Sequence, residues 1–332
     1  QSFTSPTIYN QEKESKLCDI VCYHPFDLLW LSLRFFLSIK PTKYIITRHD
    51  IWPGHIMIAK ALKIPIYYIN ANIHKDSIWK KPYLKFFSAY LLNKLDKIIV
   101  PSDTIARNVY NLNISKHKIF IHADSRFAQI LYRKTKNQHK QLLPDIFLNN
   151  TTTIFGSIDE KDEDIIFASL KTCYPLGSAD LVQKKQYLVF VPHEINFKSL
   201  KILTNHLAKL SFKYDKYSNY NSTTNHCNVL LVDDVGLLAD LYKYSNKAYI
   251  GGGFSRGVHS VLEPAVYNAN IAYGPNIEML DEAKMFINKN YATLIKDVTD
   301  MNNFLLSEQS SANHFNNLFQ NNVNAIWEHI KS

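Results

Sequence analysis

The sequence predicts an α/β protein of two Rossmann-like domains with parallel sheets, and three observations carry that prediction. Apolar runs of four to six residues alternate with longer stretches of helical spacing, the pattern of a parallel sheet with crossover helices. The alternation occurs twice, on either side of Tyr132 to Gln141, a polar and basic stretch with almost no apolar content. A chain of 332 residues also suffices for two compact domains.

In the first half, Ile20 to Tyr23, Tyr44 to Thr47, Ile66 to Asn70, Lys97 to Val100 and Lys118 to Ile121 read as strands. Leu28 to Leu37, Ile56 to Leu62, Lys81 to Leu95 and Asp103 to Asn111 read as the helices between them. In the second half the strands are Thr152 to Phe155, Leu188 to Val191, Val229 to Val232, Ala248 to Ile250 and Ala269 to Tyr273. Their helices are Lys161 to Lys171, Phe197 to Lys209, Gly236 to Tyr244, Gly257 to Tyr267 and Asp281 to Ile287. Tyr214 to Cys227, rich in Asn, Ser and Tyr, reads as a surface loop. The predicted domains are 1–135 and 145–311, with a final helix in 312–332 that crosses back to the first. The opening residues Ser2 to Thr7 look like the end of a strand entering a loop, so the first αβ unit is expected upstream of Gln1.

Composition excludes several classes. An apolar fraction of 46% with 20% charged residues is that of a globular chain, and four scattered cysteines make no disulfide framework, which points to a reducing compartment. No window approaches the roughly 20 apolar residues that span a bilayer. Leu28 to Ile39 is short and carries Arg34, and no signal-peptide pattern follows Gln1. The net charge of +9 implies an anionic partner, but the basic residues are dispersed without an RNA-binding or helix-turn-helix signature. Thirteen histidines include no pair at metal-ligand spacing beside carboxylates, so no metal is expected.

The richest chemistry lies in Ile250 to Ala265. Gly251, Gly252 and Gly253 follow a strand, and Gly257, Val258, His259 and Ser260 open the expected helix. Glycines let the backbone approach a ligand, and unpaired N–H groups at a helix start favour an anion. Glu263, one turn further in, is an acceptor-only group suited to two vicinal hydroxyls of a ribose. An ordinary tight αβ turn fits the same residues. Pro192, His193 and Glu194 close another strand, at the edge where open α/β sheets collect ligands. Ser157 either donates to a phosphate or caps the next helix, and Asp233 and Asp234 form a loop turn or touch a base. Arg256 either pairs with phosphate or is solvated. Asp50 closes a strand in the first half, and Ser77 to Phe87 interleaves Trp79, Lys80, Lys81 and Lys85 with further aromatics, as lipid-contacting helices and ordinary amphipathic surface helices both do.

Gly251 to Asn276, with its Gly-Gly-Gly-Phe, Gly-Val-His, Leu-Glu-Pro-Ala and Tyr-Gly-Pro-Asn pieces, resembles the C-terminal domain of 3-deoxy-D-manno-octulosonic acid (Kdo) transferases. The resemblance runs in order through Asp50-Ile51-Trp52-Pro53, Asn70-Ala71-Asn72, Ala123-Asp124-Ser125-Arg126-Phe127, Phe155-Gly156-Ser157, Pro192-His193-Glu194 and Asp233-Asp234-Val235-Gly236, nearly the whole chain. It implies the GT-B fold, two Rossmann-like domains facing across a cleft, the first binding acceptor and the second donor. It further implies inverting, metal-independent transfer of Kdo from CMP-Kdo to the lipid A precursor (lipid IVA) in lipopolysaccharide core biosynthesis. The expected place is the cytoplasmic face of the bacterial inner membrane, peripheral or anchored by a missing N-terminal segment. Donor contacts then fall to Ser157, Pro192, His193, Glu194, Gly251, Gly252, Gly253, Phe254, Gly257, His259, Ser260 and Glu263, and the acceptor side to Arg48, Asp50 and Asn70. The family's base is a Glu that maps upstream of Gln1, leaving Asp50 as a stand-in. Ser260, Asn72 and Leu237 depart from the family's Asn, Arg and Glu. Other readings remain open: another GT-B transferase or epimerase acting on a UDP-sugar, or a noncatalytic anion- or nucleic-acid-binding protein.

Overall fold

A computed structural model of the chain describes all residues except 4–8, 10–11, 15–16, 138, 221–226, 309–314, 316–322 and 332. Two compact units result, Gln1–Ser125 with Asn322–Ser332, and Arg126–Asn321.

In the first unit, β1 (Ser2–Phe3) and β2 (Cys22–Tyr23) pair with each other in parallel. A separate parallel sheet runs β3 (Tyr44–Thr47), β4 (Ile66–Ile69), β5 (Lys97–Val100), β6 (Ile119–Ile121). Pro53 starts the helix Pro53–Ala61 where its missing N–H is harmless, and the Ser102 hydroxyl caps Asp103–Tyr110 by accepting from the Ile105 N–H. Alternation along β4 and β5 splits the apolar residues between two faces. Tyr68, Ile98 and Val100 join Ile46, Ile56 and Leu91 in the main core, while Tyr67 and Ile99 meet Ile326 and Ile330 of the helix Val323–Lys331. That terminal helix belongs to this unit, tied by Lys97 Nζ to the His329 carbonyl at 2.8 Å. The earlier part of the expected last helix, 312–322, lies outside the described residues apart from Phe315.

The second unit holds a seven-stranded parallel sheet in the order β13 (Ala292–Leu294), β12 (Asn270–Tyr273), β11 (Lys247–Ile250), β7 (Thr151–Ile158), β8 (Gln186–Pro192), β10 (Val229–Leu231), β9 (Asp215–Lys216). Its strands are apolar on both faces because helices cover both, and Phe155 stacks on Phe190 at 4.8 Å in the core. The helix Glu160–Cys173 begins with a capping box in which Asp159 and Asp162 each accept from the other's N–H.

Three expectations are corrected. The domain boundary lies at Ser125/Arg126, not near residue 135. The first half of the basic stretch read as a linker belongs to the helix Arg126–Lys136, and Arg133 donates to the buried Asp240 at 2.9 Å. The helix expected over Gly257 to Tyr267 shrinks to Leu262–Ala265, because Gly257 takes φ 127° and the Val258 N–H goes to the Asn276 carbonyl. The helix expected from Lys81 begins only at Lys85, after short 3-10 turns over Ile78–Lys80 and Pro82–Leu84. Sequence reasoning also passed over β13 and the helix Val298–Leu306, which packs on Glu160–Cys173.

Candidate functional site

The carboxyl ends of β7, β8, β11 and β12 converge in the second unit, and their close approach explains the glycines. A Cβ on Gly251 would stand 2.2 Å from the Ser157 carbonyl oxygen, and one on Gly253 would stand 2.5 Å from the Gly274 nitrogen. Gly252 has φ 86°, in the left-handed region that a glycine enters without strain. Ser157 is itself left-handed at φ 53° and sits where the register between β7 and β8 shifts.

The bend's amides are largely spent inside the protein. Gly252 N–H donates to Asp162 Oδ2 at 2.7 Å, Gly257 N–H to the Gly252 carbonyl, Val258 N–H to Asn276 and His259 N–H to Gly251. The expected phosphate cradle on Gly252, Gly257 and the amides after it is therefore corrected. The triple glycine is a folded scaffold, and the first turn of Leu262–Ala265 is where a helix start leaves N–H groups open. Phe254 is likewise turned from ligand to core, packed against the apolar cluster.

The scaffold places two histidines face to face. His193, exposed just past β8, stacks on half-buried His259 with ring centroids 4.3 Å apart and planes 24° from parallel. Burial, and then the neighbouring His193, hold the His259 pKa below its usual value. Pro192 is buried, and exposed Glu194 accepts from Asn196 Nδ2 at 3.4 Å beside the start of the helix Phe197–Lys209. Asp233 is engaged by Ser218, whose N–H and hydroxyl both donate to its carboxylate, and Asp234 accepts the Val235 N–H. Both follow the loop-turn reading. Arg256 is exposed.

Glu263 and Ser260 line a second feature, a pocket of about 240 Å³. Its opposite wall is the helix Arg126–Lys136, which contributes Arg126, Gln129, Ile130, Arg133 and Lys134. Arg126 pairs with Glu282, Arg133 with Asp240, and Lys134 donates to the Val266 carbonyl at 2.7 Å over the Tyr267 ring. Burial pushes Asp240 up, but hydrogen bonds from Arg133 and Asn137 outweigh it and leave the carboxyl below its ordinary range. Half-buried Glu263 thus presents acceptor oxygens in a wall of cations, where a ligand carrying both hydroxyls and negative charge finds partners for each. No group of three His, Cys, Asp or Glu among the described residues is placed to hold a metal.

In the first unit, Asp50 lies on a pocket of about 510 Å³ with Thr47, Trp52, Tyr44 and His24. Partial desolvation raises its carboxyl pKa. Asn70 is corrected from an acceptor contact to a structural tie, since its Nδ2 donates to Ser125 Oγ at 2.7 Å and its Oδ1 accepts the Ser125 N–H at 3.0 Å. Arg48 has φ 51° and its carbonyl accepts the Tyr68 hydroxyl.

Residues 2–129 match the family described as 3-deoxy-D-manno-octulosonic-acid transferase (kdotransferase). A 3-deoxy-D-manno-octulosonic acid transferase of Rickettsia bellii is 25% identical over 317 residues, covering 91% of this chain and 70% of that protein. Along nearly its whole length the chain is thus similar to Kdo transferases. A bifunctional glycosyltransferase/methyltransferase of Fusobacterium nucleatum is 24% identical over 324 residues, 95% of this chain but only 48% of that longer protein. The fold is that of GT-B proteins. UDP-GlcNAc 2-epimerase from Methanocaldococcus jannaschii superposes with a TM-score of 0.59 at 14% identity, over 91% of this chain and 80% of its own.

Within this relative of Kdo transferases, two parts of the site escaped sequence reasoning. Arg133 and Lys134 looked like linker because their helix has few apolar residues, yet a stripe of Phe127, Ile130, Leu131 at helical spacing was there to be read. Asp159 and Asp162, which were not singled out, cap a helix and also hold the glycine bend. The stretch expected to meet either lipid or solvent is corrected at two positions. Trp79 packs on the first unit's core and Lys80 donates to Asn108 Oδ1 at 2.7 Å, because Pro82 breaks the turn and rotates the following helix. Exposed Lys81 and Lys85 remain beside exposed Tyr83, Phe86 and Tyr90. No helix among the described residues is long and apolar enough to cross a membrane.

Proposed function

We propose that this chain transfers Kdo from CMP-Kdo, with inversion, to a hydroxyl of the lipid A precursor at the cytoplasmic face of a bacterial inner membrane. The observation that carries the reading is Glu263 half-buried in a pocket walled by Arg126, Arg133 and Lys134. A ribose diol pairs with the carboxylate, and the donor's phosphodiester and sugar carboxylate meet the cations and the open helix start. Charge grows on the phosphate as it leaves, so fixed donors there act on the rate as well as on binding. Similarity to Kdo transferases supports the choice of sugar, and the exposed lysines and aromatics from Lys81 to Tyr90 support a lipid-borne acceptor.

The test pairs binding with turnover. Calorimetric titration with CMP and with UDP should show at least tenfold preference for CMP. Incubation with CMP-Kdo and lipid IVA should then give a Kdo-bearing product by mass spectrometry. Preference for UDP, or no product from a protein that binds CMP well, overturns the donor or the acceptor assignment respectively.

A further inference from the structure

Buried carboxylates are rarely left in a fold without a task, and the second unit keeps one at its centre. Asp162 has no exposed surface, and burial raises its pKa to about 6 despite the hydrogen bonds it accepts. Those bonds come from three directions: the Tyr249 hydroxyl at 2.8 Å, the Asp159 N–H at 3.1 Å and the Gly252 N–H at 2.7 Å. A helix cap needs only the second. The bond to Gly252 reaches 90 residues along the chain to the middle of the glycine bend.

A second tie runs parallel to the first. Asp159, the cap residue of the same helix, accepts from the Ser255 hydroxyl on the far side of the bend. Burial raises the Asp159 pKa, but the Ser255 hydroxyl and the N–H groups of Asp162 and Lys161 outweigh it and leave the carboxyl below its usual value. The middle of the bend and its far side are thus held by carboxylates from one helical turn.

The bend passes its position on to a histidine. A Cβ built on Gly252 would lie 3.1 Å from both Cδ2 and Nε2 of His259, so the bend's backbone forms one wall of that ring's seat. His259 N–H also donates to the Gly251 carbonyl at 3.2 Å, and the ring stacks on His193. The line runs from Asp162 through Gly252 to His259 and His193.

We propose that Asp162, with Asp159 as its second tie, is a positioning residue that latches the glycine bend so that the bend holds the His259 ring against His193 at the donor site. Neither carboxylate touches the ligand. The inference rests on the reading of that site as nucleotide-binding, but its primary readouts need no nucleotide.

Amide hydrogen exchange at Gly252 and the NMR titration of His259 test it on the full chain. Asp162→Ala should speed Gly252 exchange at least tenfold and move the His259 midpoint up toward the ordinary histidine value as its burial loosens. Asp162 is not among the charges that act on His259, so such a movement reports displacement of the bend and not a lost charge. Asp162→Asn, which can still accept from Gly252 while donating to Tyr249, should stay within about threefold of wild type in exchange. Ser255→Ala cuts the second tie near the surface and should speed Gly252 exchange about threefold with the fold kept. It decides the matter alone if Asp162→Ala does not fold. CMP affinity in the same variants should fall with the loss of protection. A folded Asp162→Ala, or a Ser255→Ala, with Gly252 still protected and His259 titrating as before overturns the latch. Wild type that shows the latch but binds no CMP overturns the site reading instead.

Discussion

Arg133 donates to Asp240 at 2.9 Å, and this contact turns a stretch that reads as linker into one wall of the pocket that Glu263 lines. Asp240 is only 7% exposed, and Asn137 and Lys140 complete its shell. The arginine is 44% exposed, so solvent screens much of its attraction. Arg133→Ala should therefore lower the unit's stability by only about 1 kcal/mol. A double-mutant cycle with Asp240→Asn, followed by urea denaturation, should return a coupling of similar size. Strictly additive effects would mean that other contacts hold the helix in place.

Glu263 is the residue on which the donor assignment turns. Removing its carboxylate in Glu263→Ala takes away charged acceptors for two hydroxyls, so CMP should bind roughly tenfold more weakly. 2′-Deoxy-CMP should lose much less affinity on the same substitution. Equal losses for both nucleotides would take the ribose away from Glu263.

The glycines of the second unit differ in what they tolerate. Gly253→Ala would drive a Cβ to 2.6 Å from the Gly274 Cα, backbone against backbone, and should cost about 2–3 kcal/mol. Gly236→Ala has open space around it and only a left-handed φ of 79° to strain, which costs about 1 kcal/mol. Thermal unfolding of the pair checks the order; a Gly236 variant as damaged as the Gly253 one would contradict the close-approach argument.

Glu163 is 3% exposed, its Oε2 has no hydrogen-bond partner, and burial with the acidic neighbours Glu160, Asp159, Asp164 and Asp162 raises its pKa to about 8. The folded value lies above the unfolded one, so the folded state binds this proton more tightly. Stability from this group is then full below about pH 4.5 and is lost as pH rises toward 8. Glu163→Gln should stabilise by roughly 1–3 kcal/mol at pH 8.5 and change little at pH 4.5. Denaturant titrations at the two pH values read the difference, and a gain at the lower pH as large as at the higher would count against a buried protonated glutamate.

On the first unit, Tyr83 and Phe86 are 76% and 88% exposed beside Lys81 and Lys85. Replacing the two lysines with Ser should weaken sedimentation with anionic vesicles by about 1 kcal/mol per charge, with no change for neutral vesicles. Unaltered sedimentation would make the segment ordinary surface.

Most strands were legible because their apolar runs are short and bounded; Tyr44–Thr47 and Lys97–Val100 fall at the predicted residues. The helix Phe197–Lys209 was equally clear, with Asn196 supplying its cap. Helix ends in the bend were not legible. Gly257 to Ser260 has helical spacing, but long-range hydrogen bonds to Gly251, Gly252 and Asn276 capture its backbone first.

The sequence by itself determined the parallel α/β plan, the likeness to Kdo transferases and the importance of the glycine segment, because hydrophobic period and motif order are properties of neighbours along the chain. Only the tertiary structure decided what that segment does. It consumed the Gly252 amide on Asp162, seated His259 against His193, and brought Arg133 and Lys134 beside Glu263 across about 130 residues. Those pairings follow from burying polar groups that must find partners, and which partner each finds is fixed by packing, not by distance along the chain.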